Sequence, residues 1–512
     1  MKGIITCCGS SNDSTKAEKK LHFQDKFVVP NDNRTDGVQP STIGVPVETP
    51  PLTWKFWQKR RYIVVLLTFF GFFNVYTMRV NLSVGIVAMT ELRPVYYQND
   101  TVGYEQYFNW SSTEQGLILS AFFYGYILTQ LIGGYFGAKI GGNWVFGIGI
   151  FTTAVLTLLT PLAAKSGVYV LISVRVIEGI FEGVTLPCVH DIWSRWAPPH
   201  ERSRMATIAL AGTYVGTVIA MPLSGILANT LGWESLFYVF GVIGVLWFIV
   251  WVIVVRRNPG QDRYITKDEL QYIKASIGAV RDKKPSVPWK AILTSKHVYA
   301  IYVANTAETW GLYTLITQLP TFLKDAMSYD LQKSGFLSAT PYLALAILLF
   351  VFGYLADWVQ MKKYLTTTQV RRYFNCLGFL LQGTFMMLAA YLLHPVWSIV
   401  CIVLAVGFGA LVFCGYCVNA LDIAPQFASI IMGISNTFGT IPGIISPTLT
   451  GVLVKNKTME EWRIVFFITS GVYAVGCIVY WIWCTSELQP WAKRKEVVKD
   501  RESNTDTDTV QM

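Results

Sequence analysis

The hydrophobic positions of this chain fall into long, nearly unbroken blocks rather than the narrow apolar stripes of soluble helices. Twelve blocks approach or pass the roughly 20 residues that carry a helix through a bilayer. They span 62–89, 113–136, 143–163, 167–192, 205–229, 234–255, 298–323, 335–358, 373–393, 396–419, 428–454 and 464–485. Two longer polar stretches interrupt them: 91–112, and the basic segment 256–297, which divides the spans six and six. The pattern predicts an all-α membrane protein of twelve transmembrane helices in two pseudo-symmetric six-helix halves, 62–255 and 298–485. Residues 1–61 and 486–512 read as cytosolic tails, the first disordered, and 256–297 as a cytosolic linker.

Composition agrees. The chain is 52% hydrophobic and 14% charged, against about 25% charged in soluble domains, which excludes a globular enzyme on a single anchor. The net charge is +10, but its placement says more than its sum. Lys59, Arg60 and Arg61 precede span one, Arg195, Arg202 and Arg204 follow span four, and Lys362, Lys363, Arg371 and Arg372 follow span eight. All fall on one side if the spans alternate, so the positive-inside rule puts both termini in the cytosol. The glycosylation sequons at Asn99, Asn109 and Asn456 then all face the opposite, luminal side. Most cysteines lie inside apolar runs, so no disulfide framework is expected, and nothing before span one reads as a cleavable signal.

An internal repeat supports the division. "LSAFFY" from Leu119 and "LSATPY" from Leu337 each open an even-numbered span, which closes on "GYFGAK" in one half and "GYLADW" in the other. Duplicated halves of this kind build many secondary transporters, with the substrate held between them at the bilayer midplane. The second copy, Gly353 to Asp357 followed by basic residues, resembles the major facilitator loop signature; the first has Ala138 at the acidic position.

The chemistry lies in the charges within the spans. Arg79 stands a few residues past the middle of span one, where a guanidinium costs at least about 2.5 kcal/mol on insertion scales. Three partners suit it: Glu178 or Glu182 across the bundle, Glu308 in span seven, or a bound anion matched to its fork of donors. In span four Arg175, Glu178 and Glu182 are spaced three and four apart and share one helix face, leaving one carboxylate in excess and available to gain and lose a proton. A structural Arg–Glu tie to a neighbouring span is the alternative. His190, beyond Pro187, either extends a proton path or ends the helix. Tyr124 and Tyr126 in span two, Trp310 and Tyr313 in span seven, and Asn419 and Asn436 in spans ten and eleven are candidate neutral contacts to a substrate. Glycines and prolines of spans five and eleven, among them Gly212, Gly216, Pro222, Pro442 and Pro447, suit close-packed gating helices.

Several stretches resemble the anion:cation symporters of the major facilitator superfamily, which group sialin, the vesicular glutamate transporters and the type I sodium–phosphate cotransporters. They include "MRVNLSVGIVAM", "RVIEGIFEGVTLPCVHDIWSRWAPPHERSRM", "GFLSATPYL" and "NALDIAPQFASIIMGISNTFGTIPGIISP". The resemblance covers about residues 60 to 492 and implies an alternating-access fold. It places the family's span-one arginine on Arg79, its span-four arginine on Arg175, its coupling glutamate on Glu182, its span-four histidine on His190 and its span-seven tyrosine on Tyr313. Vesicular glutamate transporters carry histidine where Leu119 stands and arginine where Glu308 stands, so both positions are expected to tune selectivity, against a dicarboxylate. "NALDIAP" leans toward the phosphate branch, and the sialin-type dileucine sorting signal is not evident in residues 1–61.

The expected function is a symporter for inorganic phosphate or an organic acid, coupled to Na⁺ or H⁺ without a cofactor. A sialin-like proton-coupled exporter of acidic sugars and an anion channel on the same scaffold are the alternatives. Five scattered histidines offer no metal-ligand spacing and no nucleophile–base set appears, so neither a catalytic residue nor a metal site is expected. The expected partners are a small anion and the bilayer, with no nucleic acid; the expected state is a monomer in the plasma membrane or an endolysosomal or vesicular one.

Overall fold

The computed structural model describes residues 59–96, 102–278, 287–392 and 395–492. The tails, including Cys7 and Cys8, a pair that sequence leaves open to palmitoylation, and all but the last few residues of 1–61, lie with the sequon at Asn99 outside the described residues. The first half contains α1 (Arg60–Thr90), α2 (Ser112–Phe136), α3 (Gly142–Ser166), α4 (Val168–Gly183), α5 (Thr185–Trp196), α6 (Pro199–Leu231) and α7 (Glu234–Val254). Two short helices, α8 (Lys267–Gly278) and α9 (Trp289–Thr294), lie in the linker. The second half contains α10 (Lys296–Asp325), α11 (Leu331–Met361), α12 (Thr367–Tyr391) and α13 (Pro395–Val412). It ends with α14 (Val418–Ile423), α15 (Ala428–Leu453) and α16 (Met459–Trp483).

Nine spans among the described residues are long and apolar enough to cross a membrane; α2, the α4–α5 pair and α10 complete the twelve. Two spans are not simple rods. Span four breaks at Val184, because Pro187 lacks the N–H that would bond back to Gly183. Span ten passes from α13 to α14 through a π-helical turn, Phe413–Cys417. The polar loop after span one holds a small antiparallel pair, β1 (Arg93–Tyr96) with β2 (Val102–Glu105), the one strand element in an otherwise helical set of described residues. Chain after span twelve does not leave at once: Gln426 Nε2 donates to the Ala492 carbonyl at 2.9 Å, and Trp491 lies against Phe427.

The halves meet along α2–α15 and α6–α11, the same even–odd pairing twice, as the repeat implies. Glycine makes these crossings close. A Cβ on Gly116 would lie 2.5 Å from the Pro447 carbonyl oxygen, and one on Gly335 2.7 Å from that of Met221. Side-chain ties between the halves, among the described residues, join Glu91 to Lys324, Thr113 to the Gly451 carbonyl, Ser120 to Thr448 and Gln130 to Thr440. They run from the sequon-bearing end toward mid-depth, so the molecule is closed at that end. Asn109 and Asn456 are both exposed there, although the Asn456 amide donates to Glu461 at 2.7 Å.

At the basic end the linker folds back onto the first half. Glu269 of α8 accepts from the backbone N–H groups of Arg60 at 2.9 Å and Arg61 at 3.2 Å, which caps α1 with negative charge where its dipole is positive. Arg61 is 1% exposed and pairs with Glu201 at 2.9 Å and Glu269 at 3.3 Å; Arg60 pairs with Asp262 at 2.9 Å. Burial and then the Tyr272–Glu201 hydrogen bond push the Tyr272 phenol up to about 12. Truncating Arg61 leaves two acids facing each other with no cation, a loss of about 3 kcal/mol. Arg61→Ala is expected to lower the melting temperature of the detergent-solubilised protein clearly, whereas Lys59→Ala leaves it within error.

Candidate functional site: paired charges at the centre of the first half

Arg79 lies on α1, 9% exposed, and points at α4. Its Nε donates to Glu182 Oε1 at 2.8 Å, and its Nη2 donates to the same oxygen. Of the three partners open to it from sequence, the structure therefore presents Glu182. The guanidinium carbon also sits 4.7 Å from the Tyr76 ring centroid and 4.9 Å from those of Phe122 and Tyr126. Each such contact contributes about 0.5–2 kcal/mol, toward the upper end where water is absent. One turn before Glu182, Arg175 pairs with Glu178 on its own helix, and Thr157 of α3 adds a hydrogen bond to Glu178 at 3.3 Å. The carboxylate that was in excess on span four is thus the one that meets span one.

Local sequence accounts for this arrangement. Tyr76 precedes Arg79 by one turn on α1, and Phe122 and Tyr126 are one turn apart on α2, so each set shares a face. Glycines let α2 and α4 touch backbone to backbone. A Cβ on Gly125 would run into the carbonyl of Val176, and one on Gly179 into that of Phe122. That close approach is what lays the α2 rings over the arginine. A small cavity, with room for about one water, opens on the two arginines and is lined by Arg79, Ser83, Leu119, Phe123, Arg175 and Thr317. The last of these comes from the second half, so the cavity lies between the halves. Unsatisfied polar atoms remain on the two charged pairs: Glu182 Oε2 and Arg175 Nε are buried without a hydrogen-bond partner among the described residues.

The other sequence candidates divide. Tyr313 is brought in: its ring packs on Phe123 with centroids 4.6 Å apart, and it lies within electrostatic reach of Arg79. Leu119 lines the cavity. Tyr124 does not reach the site; at 43% exposed it stands on the outer stripe of α2 with Leu117 and Leu128, and Tyr126, two residues on and facing the other way, takes the place expected of it. Asn419 is also displaced: its amide donates to Tyr480 at 2.8 Å and Cys484 at 3.2 Å, binding α14 to α16. Asn436 is half-buried on α15, one turn before Thr440, the residue that bonds Gln130. His190 is exposed on α5, beyond the break in span four. Glu308 faces α12 and α13, not Arg79, and accepts from Gln382 Nε2 at 3.3 Å. Sequence reasoning passed over Tyr76 and Phe122, whose signal was their one-turn spacing from Arg79 and from Tyr126.

Known proteins share this framework. The family model Major Facilitator Superfamily matches residues 68–447. The chain is 41% identical over 447 residues to vesicular glutamate transporter 1 of Xenopus laevis, covering 86% of this chain and 78% of that protein. It is 40% identical to vesicular glutamate transporter 2 of Homo sapiens, covering 86% and 77%. Among solved structures, a bacterial homolog of the human lysosomal transporter Spinster, inward-facing and occupied, aligns with a TM-score of 0.67 at 14% identity over 84% of this chain and 99% of that one. A D-xylose–proton symporter aligns at 0.61 and 13% identity, over 84% and 99%.

The α2–α4 contact generates a direct test. Gly179→Ala forces the helices apart, a loss of about 1–3 kcal/mol or more, and is expected to lower both thermal stability and the yield of monodisperse protein. Gly433→Ala, where an added Cβ meets nothing within 4 Å, is the matched control and leaves both unchanged.

Proposed function

The chain belongs to the anion:cation symporter family of the major facilitator superfamily, and from that premise we propose that it moves a small anion by exchanging the partner of Arg79. It is a multi-pass membrane transporter and not an enzyme. The observation that supports the exchange is the Arg79–Glu182 pair itself.

A guanidinium cannot be neutralised at any accessible pH, whereas a carboxylate can. Arg79 therefore becomes available to a substrate anion only when Glu182 takes a proton. Arginine with ionised Glu182 is a neutral set, and arginine with a bound anion and protonated Glu182 is again neutral. The buried region never carries an uncompensated charge, which would be far more costly. One proton thus enters with each anion charge that Arg79 accepts, and acid on the side of entry favours loading. Arg175–Glu178 holds the shape of α4 beside the exchanging pair, and Tyr313, Tyr126 and Thr317 are neutral groups at hand for the anion's remaining oxygens. H⁺ is the coupling ion in this reading.

The reading leaves the anion as inorganic phosphate or an organic acid. Glu308 and Leu119 are not arranged as a second cationic anchor for a dicarboxylate, which argues against glutamate even though the matched relatives are named for it. Charge placement supports a cytosolic basic end and a luminal or external sequon-bearing end, with the plasma membrane and a vesicular membrane both compatible.

Uptake in proteoliposomes tests this, with labelled phosphate, sialate, urate and glutamate compared under imposed H⁺ and Na⁺ gradients. Glu182→Gln is expected to keep anion exchange while pH-driven accumulation falls to the equilibrated level. Arg79→Lys, which keeps charge but loses the fork, weakens apparent affinity by roughly 10–100-fold. Undiminished pH-driven accumulation by Glu182→Gln contradicts the proposal.

A further inference from the structure

Five acids are buried among the described residues: Glu178, Glu182, Asp262, Glu269 and Glu308. Four of them pair with an arginine, respectively Arg175, Arg79, Arg60 and Arg61. Glu308, 3% exposed in the middle of α10, pairs with no cation among the described residues. Its Oε1 accepts from Gln382 Nε2 of α12 at 3.3 Å, and its Oε2 has no hydrogen-bond partner among the described residues. Gln382 is itself 1% exposed, and its Oε1 is also unpartnered. Space for the two side chains comes from α13, where a Cβ on Gly409 would lie 2.5 Å from Glu308 Oε1 and 2.8 Å from Gln382 Nε2. The titratable groups within electrostatic reach are the phenols of Tyr214 on α6, Tyr416 in the π-helical turn and Tyr473 on α16. None of these supplies a positive charge.

We propose that Glu308, with Gln382, is a second proton-carrying site, set in the second half and loaded with a proton in the state seen here. An ionised carboxylate held this deep with a single long neutral hydrogen bond is far more costly than the neutral acid. With the proton on Oε2, Oε1 still accepts from the Gln382 amide as observed, and the free Oε2 is where the proton enters and leaves. A hard metal cation would need a shell of several oxygens; the two residues present few, and Gln382 turns its N–H toward the carboxylate. The O–H bond on Oε2 forms with a proton from water and breaks by returning it to water, with no other reactant. The site's place in a transport cycle rests on the proposed proton-coupled reading; its protonation does not.

Infrared titration of the purified full-length protein, with protons as the only ligand, separates the two. A protonated-carboxyl C=O signal that titrates and is lost in Glu308→Gln, yet kept in Glu182→Gln, is the expected result. Gln382→Leu keeps the signal but shifts its frequency and midpoint, which keeps the test decisive should Glu308→Gln fold poorly. The same signal in wild type and folded Glu308→Gln overturns the proposal, as does a midpoint unmoved in Gln382→Leu. Replacing K⁺ by Na⁺ leaves the midpoint in place; a midpoint displaced by Na⁺ assigns the site to a metal cation and also overturns it. Loss of the Glu308 signal alone leaves the Arg79–Glu182 exchange untouched, because that pair is read by flux through Glu182→Gln.

Discussion

An arginine at bilayer depth keeps its charge whatever the pH, so something negative must stand against it at every moment of the protein's life. In this molecule that is Glu182 of α4, aided by the faces of Tyr76, Phe122 and Tyr126. Much of the first half serves this contact. Gly125 and Gly179 bring α2 onto α4, Arg175 occupies Glu178 so that Glu182 is left for Arg79, and the break at Val184 ends α4 just past the pair. In the exchange proposed above, an anion that reaches Arg79 does what Glu182 does, and a proton relieves Glu182 of the task. On that proposal binding and coupling are one event rather than two events joined by a conformational signal.

The two halves solve the same problem of buried charge differently. The first half and the linker folded onto it keep four buried acids, each matched to an arginine: Glu178 and Glu182 at mid-depth, and Asp262 and Glu269 at the basic end. The second half keeps Glu308 with an amide only. Closure on the sequon-bearing side is made by small residues and a few polar ties, Glu91–Lys324 among them. Contacts of that kind add little each, which suits the proposed alternation of the two halves.

Much of this was legible in the sequence, because bilayer thickness sets span length and the lysines and arginines mark one side. The helices found match the apolar blocks to within a few residues at most ends, as α1 and α15 do. Arg79 and Glu182 were identifiable as charges inside apolar runs and Tyr313 as a polar group in one, whereas Leu119 stood out only through the family resemblance. The choice of partner was not. Glu178 and Glu182 share a face, and only the packing of α1 against α2 and α4, which meet closely through Gly125 and Gly179, decides which of them reaches Arg79. Tyr124 and Tyr126 differ by about 200° around a helix, and an all-apolar span gives no stripe to say which of them looks inward. Asn419 carried the same polar signal whether it bound a ligand or locked two helices, and the fold uses it for the lock.

Proton uptake on anion binding tests the central claim most directly. Purified protein in weakly buffered solution, carrying a pH indicator, is mixed with inorganic phosphate and then with each organic acid of the panel. The partner exchange predicts that the anion that binds draws about one proton from solution per site, and that Glu182→Gln binds it without drawing that proton. Binding by wild type with no proton uptake, or equal uptake by Glu182→Gln, would contradict it.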